Sequence, residues 1–230
     1  MNIIQKLIPI GHPNRPGWKL DGLKAIVVHY TCNRDPDATD IANDEYFGRS
    51  WAVGADGKPV EATRNGTPLL DKDGKQIPFE YGSAHTIADQ DAVMIAIPPD
   101  EVAWGCGDRP MPWDDLNRGQ RPAARLIFQN RQNLNTVSVE ICNNADWNKA
   151  ASNAAEWIAG FLKSRGLRVN VPASLDPQHF SGIANGEILI LRHYDVTGKI
   201  CPAPFIDQAS ASVSPAWIAF VKGIAEKAAV

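Results

Sequence analysis

The stretch Arg192-His-Tyr-Asp-Val-Thr-Gly-Lys-Ile-Cys-Pro202 places His193, Lys199 and Cys201 within nine positions. Imidazole and thiolate are both good ligands for zinc. Between them lies Thr197-Gly198. Glycine reaches backbone angles that other residues avoid, so this loop can fold back and bring both side chains to one ion. Pro202 and Pro204 stiffen the exit. Lys199 falls at the rim of such a site, where a cation can stabilise a developing oxyanion. An ordinary loop histidine followed by a buried thiol would look the same, so further donors must be found elsewhere.

Two stretches supply them, both short and rich in β-branched residues, and both read as strands. His29 lies in Ala25-Ile-Val-Val-His-Tyr-Thr31, and Glu140 in Thr136-Val-Ser-Val-Glu-Ile-Cys142. Side chains alternate across a strand, so His29 shares a face with Ala25 and Val27. Glu140 shares one with Ser138 and Cys142, while Val137, Val139 and Ile141 point the other way. A carboxylate in such a strand is costly to bury without a partner or a task. His29, His193 and Cys201 make three protein ligands, and three plus an open position is the pattern of catalytic zinc. Glu140 then reads as the base that takes a proton from water. Cys32, three residues past His29, and His85 are rival ligands, and a structural zinc would need one of them as its fourth. A cysteine hydrolase using Cys201 and His193 is a further reading; it would keep its activity in chelator.

Strands and helices that would carry these residues interleave along the chain, which argues for an α/β domain with a mixed sheet. Residues 1–24 read as a lead-in with turn residues, with His12 in a surface loop. A helix over about 38–48, capped by Thr39 or Asp37, has Ile41, Ala42, Glu45 and Tyr46 at helical spacing. Ala92–Ile97 is another strand. The clearest helix covers 149–165, with Ala154, Trp157, Ile158, Phe161 and Leu162 on one face and Gly166 as its stop. Residues 187–192 form a strand entering the His193 loop, and His179 lies in a Pro-rich loop before it. A last helix over 214–228 carries Trp217, Phe220, Val221 and Ile224.

Two excursions interrupt the pattern. Residues 51–82 contain the hairpin turn signals Asp56-Gly and Asp73-Gly. Residues 108–134 contain a short helix near 121–130 and are locally basic through Arg109, Arg118, Arg121, Arg125 and Arg131, charges that are mostly solvated but could meet an anionic polymer.

The 230 residues carry a net charge of −3, which gives no support for nucleic-acid binding. No apolar run approaches the ~20 residues that span a bilayer. The first residues are too short and interrupted for a secretory signal. The expectation is a cytoplasmic, monomeric product that reaches its target after release. With Cys201 assigned to a metal, Cys32, Cys106 and Cys142 remain, and three leftovers without a signal peptide argue against a disulfide framework.

The motifs Asn14-Arg-Pro-Gly17, Ile26-Val-Val-His-Tyr-Thr31, Ser83-Ala-His85, Glu101-Val-Ala-Trp104, Val137-Ser-Val-Glu-Ile141 and His193–Pro202 occur in one order over about residues 12–205. In this the chain resembles the zinc-dependent N-acetylmuramoyl-L-alanine amidases of type 2, a family of phage endolysins and bacterial autolysins related to peptidoglycan recognition proteins. The resemblance implies one amidase domain over 1–230, with a central sheet flanked by helices and zinc in a surface groove. It implies zinc on His29, His193 and Cys201, with Glu140 and Lys199 as the catalytic pair. It places His85 and Trp104 beside the substrate and not on the metal. The implied substrate is peptidoglycan, and the implied bond is the amide between N-acetylmuramic acid and L-alanine. A non-catalytic recognition module is the alternative; loss of the thiolate ligand is expected there, and Cys201 is present. One departure stands out. Where the family continues past the Trp104 position with His, Ala and Gly, this chain has Gly105, Cys106 and Gly107.

Overall fold

Strand β2 (Ala25–Tyr30) is buried on both faces over most of its length, as its unbroken apolar run demands. The computed structural model describes residues 1–12, 14–48, 63–64, 67–68, 82–106, 127–128, 131–177, 182–207 and 213–229. In it β2 lies between two parallel neighbours, β7 (Thr136–Ile141) and β9 (Glu187–Arg192). The remaining strands of this sheet are β1 (Asn2–Gln5), β5 (Thr86–Ala88), β6 (Ala92–Ile95) and β8 (Arg168–Val169). The seven run in the order β1-β6-β5-β7-β2-β9-β8. Only β5 and β6 pair antiparallel, so the sheet is mixed, as expected.

Alternation divides the central strands into two faces. Ile26, Val28, Val137, Val139, Ile141, Ile188 and Ile190 join one core with two helices, α3 (Trp147–Ser164) and α6 (Pro215–Ala228). Helix α3 begins at Asp146, whose carboxylate accepts from Lys149 N. It ends where Gly166 turns left-handed at φ +64°, with Leu167 N donating to Leu162 O at 3.0 Å. Helix α6 is capped by Ser214 and buries Trp217, Phe220, Val221 and Ile224. The opposite face carries Ala25, Val27, Leu189 and Leu191. By alternation it is also the face of His29 and Glu140.

Several expectations need correction. The lead-in contains β1, an edge strand paired with β6 in the register Asn2↔Ala92. Its pattern, Asn-Ile-Ile-Gln, lacks the alternation that marks a half-buried strand. Helix α1 (Asp40–Gly48) is capped by Thr39, which accepts from Ala42 N. Its buried residues are Asp40 and Asp44, whereas Ile41 and Tyr46 are 50% and 58% exposed. The apolar spacing there does not mark the packed face.

The first excursion contains a small antiparallel pair, β3 (Thr63–Arg64) with β4 (Thr67–Pro68). The turn signals at Asp56-Gly and Asp73-Gly lie outside the described residues, as do most of 108–134, most of the short helix near 121–130, and His179. Three short helices complete the description: α2 (Gln132–Asn135), α4 (Val171–Leu175) and α5 (His193–Thr197). Among the described residues, no helix is long and apolar enough to cross a membrane.

Candidate metal centre

The β2–β9 register sets Val28 opposite Arg192, so the next residues, His29 and His193, lie side by side. Their Nδ1 atoms are 3.1 Å apart. His193 is the first residue of α5, and the turn behind it is tightly held. The Asp195 carboxylate accepts from Arg192 N, Nε and Nη2 at 2.9, 3.0 and 2.7 Å, with both residues buried. Gly198 closes α5 at φ +83°. Tyr194 N then donates to Cys201 O at 2.9 Å, which folds the chain back on itself. Cys201 Sγ arrives 4.0 Å from His29 Nδ1. One donor atom from each of His29, His193 and Cys201 lies within 4.8 Å of the others.

This donor set fits a metal ion. Zinc with nitrogen at ~2.0–2.1 Å and sulfur at ~2.3 Å in tetrahedral angles needs donor separations of about 3.3–3.6 Å; the observed 3.1 and 4.0 Å bracket that range. Burial, joined by the Lys199 charge, holds the His29 imidazole well below its ordinary pKa and His193 down to about 3. Both rings are therefore neutral, the form that binds metal. Burial, and then the Glu140 charge, push the Cys201 thiol up. A thiol so raised is a poor nucleophile, which counts against a cysteine hydrolase, but a bound cation would release its proton.

Glu140 is the register partner of His29 on β7. Its Oε2 is buried and accepts no hydrogen bond. Burial raises the carboxyl to about 7, against the pull of Lys199. A carboxyl poised near neutrality can both take and return a proton. Lys199 itself is exposed, directly after Gly198. Its charge is felt at His29, Glu140, His193 and Cys201, as a rim position requires.

The other candidates fall apart from this cluster. His85 is fully buried, with Nδ1 accepting from Ser138 N at 2.9 Å and Nε2 bonded to Glu101 O at 2.8 Å. Both ring nitrogens are engaged, and the ring ties β7 to the loop around Glu101. Cys32 is exposed, at φ +57°, and outside the donor group. Trp104 is half-buried and packs edge-on against the exposed Trp18, ring centroids 5.7 Å apart. Arg131 pairs with Asp21 at 3.2 Å.

The departure at Gly105 has a physical cause. A Cβ there would stand 2.0 Å from Ser138 Oγ, two residues from Glu140 on the same face. No side chain fits at that position while serine occupies 138. Sequence reasoning also missed a buried fork. Arg15 Nε and Nη2 donate to Glu101 Oε2 and Oε1 at 2.9 and 3.1 Å. Arg15, Glu101, His85 and Ser138 N thus form a continuous chain of hydrogen bonds that braces β7 near Glu140. Both Arg15 and Glu101 sit in the motifs noted above, but 86 residues separate them and nothing local pairs them.

Residues 20–204 match the family model described as N-acetylmuramoyl-L-alanine amidase. The chain is 29% identical over 213 residues to the N-acetylmuramoyl-L-alanine amidase CwlL of Bacillus licheniformis, covering 91% of this chain and 44% of that protein. It is 26% identical over 225 residues to the N-acetylmuramoyl-L-alanine amidase XlyA of Bacillus subtilis (strain 168), covering 97% of this chain and 51% of that protein. The chain thus spans about half the length of these curated relatives. The solved catalytic domain of XlyA superposes with a TM-score of 0.59 at 23% identity, covering 97% of this chain and 99% of that one. That likeness establishes the fold. The family match runs through β2, β7, β9 and all three metal-donor positions, and on it the chain belongs to the N-acetylmuramoyl-L-alanine amidase family.

Proposed function

We propose that the chain hydrolyses peptidoglycan as an endolysin or autolysin does. The bond cut is the amide between the lactyl group of N-acetylmuramic acid and L-alanine of the stem peptide. Zinc is held by His29, His193 and Cys201. The observation that carries this reading is the convergence of those three donors beside the unpartnered Glu140 carboxyl, in a chain of this family.

Zinc held there supplies Lewis acidity, polarising the scissile carbonyl and lowering the pKa of water toward ~7. Glu140 takes the proton of the attacking water and returns it to the leaving amine nitrogen. Lys199, at the rim, stabilises the negative charge that develops on the carbonyl oxygen. Arg192 and Asp195 hold α5 so that His193 keeps its orientation. Trp104 and Trp18 form an aromatic wall suited to an apolar sugar face.

Digestion of purified peptidoglycan, followed by mass analysis of the ends, tests the reading. Free amino-terminal L-alanine and intact lactyl ethers on the glycan are expected. New glycan ends, or cuts within the stem peptide, would refute the assigned bond. Elemental analysis should find one zinc per chain, and substantially less in His29→Ala and Cys201→Ser. Full zinc in both variants would remove the ligand assignment. A non-catalytic module would bind the polymer and release no ends.

A further inference from the structure

We propose that Asp40, Asp89 and Asp91 form a second cation site, separate from the His29–His193–Cys201 centre and suited to a hard divalent ion of the calcium class. The site lies where the turn joining β5 to β6 meets the start of α1. Asp89 N donates to Ala92 O at 2.9 Å, which closes the turn. Asp40 N donates to Asp89 Oδ2 at 3.2 Å, which seats the helix on it. One carboxylate oxygen from each of the three aspartates lies within 4.8 Å of the others.

The charge balance of this corner is incomplete. Asp40 and Asp89 are 4% and 3% exposed. Asp89 has its own donors, with Oδ1 accepting from Gln90 N and Oδ2 from Asp40 N and, more weakly, Asn144 Nδ2. An acidic group accepting the first N–H of a helix accounts for Asp89. It does not account for Asp40. The Oδ1 of Asp40 accepts from Ile41 N at 2.8 Å, but Oδ2 is buried and accepts nothing. A buried carboxylate oxygen without a donor is costly, and two neighbouring carboxylates add repulsion. Among the described residues no lysine or arginine forms an ion pair with any of the three; Lys6 pairs with Asp44 instead, at 2.9 Å. Burial, with the charges of Asp89, Asp91 and Asp44, raises the Asp40 carboxyl. A divalent cation among the three would offset all of these costs together.

The donor chemistry sets the class of ion. The group offers oxygen alone, with no imidazole or thiolate, which suits a hard cation over zinc. Asn144 Nδ2 donates to Asp89 Oδ2 at 3.5 Å and to Pro36 O at 3.4 Å, so a cation bound here would displace that weak contact with Asp89. Water on the exposed Asp91 side can complete the ~6–8 oxygens that calcium takes in flexible geometry. The bound ion would clamp α1 to the β5–β6 turn.

The test uses the full, zinc-loaded chain freed of other metals. Titration calorimetry with CaCl2 should give one calcium per chain. The melting temperature should rise by about 5–10 °C when calcium is at 100 times its Kd. Asp91→Asn, at an exposed position, should fold normally, keep its zinc and bind calcium at least about tenfold more weakly. Asp40→Asn should melt above the parent without calcium, because it removes an unpaired buried charge, and should gain less on adding it. No binding heat and an unchanged melting temperature in the parent at millimolar CaCl2 would overturn the proposal. So would calcium affinity unchanged in Asp91→Asn.

Discussion

Glu140→Gln is expected to lower kcat by about 10²–10⁴-fold while leaving the zinc content intact, the range typical of a lost general base. Glutamine keeps the shape of the side chain and removes only its ability to accept a proton. Among the described residues the buried Oε2 accepts no hydrogen bond that the substitution could break, and the strand is held by its backbone register with His29. A fold defect would therefore not explain a loss of turnover. The measurement is release of amino-terminal L-alanine from a defined muropeptide, read beside zinc per chain. Near-normal turnover with full zinc would take the proton-transfer role away from Glu140. His85 could not inherit it, since both of its nitrogens are committed to the backbone.

Lys199→Met should cost about 10²–10³-fold in kcat, by comparison with other donors that stabilise an oxyanion. Methionine keeps the length and apolar bulk of the lysine stem, so packing is conserved. If the charge acts only in the transition state, KM and zinc content stay near their parental values while kcat falls. Lys199→Arg should recover part of the loss, because the guanidinium is larger and spreads its charge. The side chain is exposed and its charge is felt by both histidines, Cys201 and Glu140. Wild-type kcat in Lys199→Met would reduce it to a loop residue and leave Glu140 working with the metal alone.

What could be read from the sequence was whatever depends on local periodicity. Alternation in 25–30 and 136–141 put His29 and Glu140 on the face opposite the helical core. Gly198 between His193 and Cys201 allowed the loop to return, and the left-handed angle there is how it does so. What could not be read depends on which distant groups meet. Arg15 and Glu101 are joined only through the fold. The same holds for His85, whose residue type suggested a ligand while its neighbours make it a brace. The departure at Gly105 is likewise explained only by a distant group, Ser138, which fills the space a side chain would need. Helix α1 misled for a different reason: its packed face is acidic, so hydrophobic spacing pointed to the wrong side.

His29 and Glu140 ride on the neighbouring inner strands β2 and β7, His193 follows directly on the end of β9, and the residues Ala25–Val28 that lead to His29 are wholly buried. Amide protons on such strands exchange with solvent only when most of the structure opens. Partial opening can loosen α1 or the β1 edge without separating His29 from Glu140 or His193. Loss of the proposed activity on heating should therefore come no later than loss of the sheet, because the loop that carries Lys199 and Cys201 can loosen first.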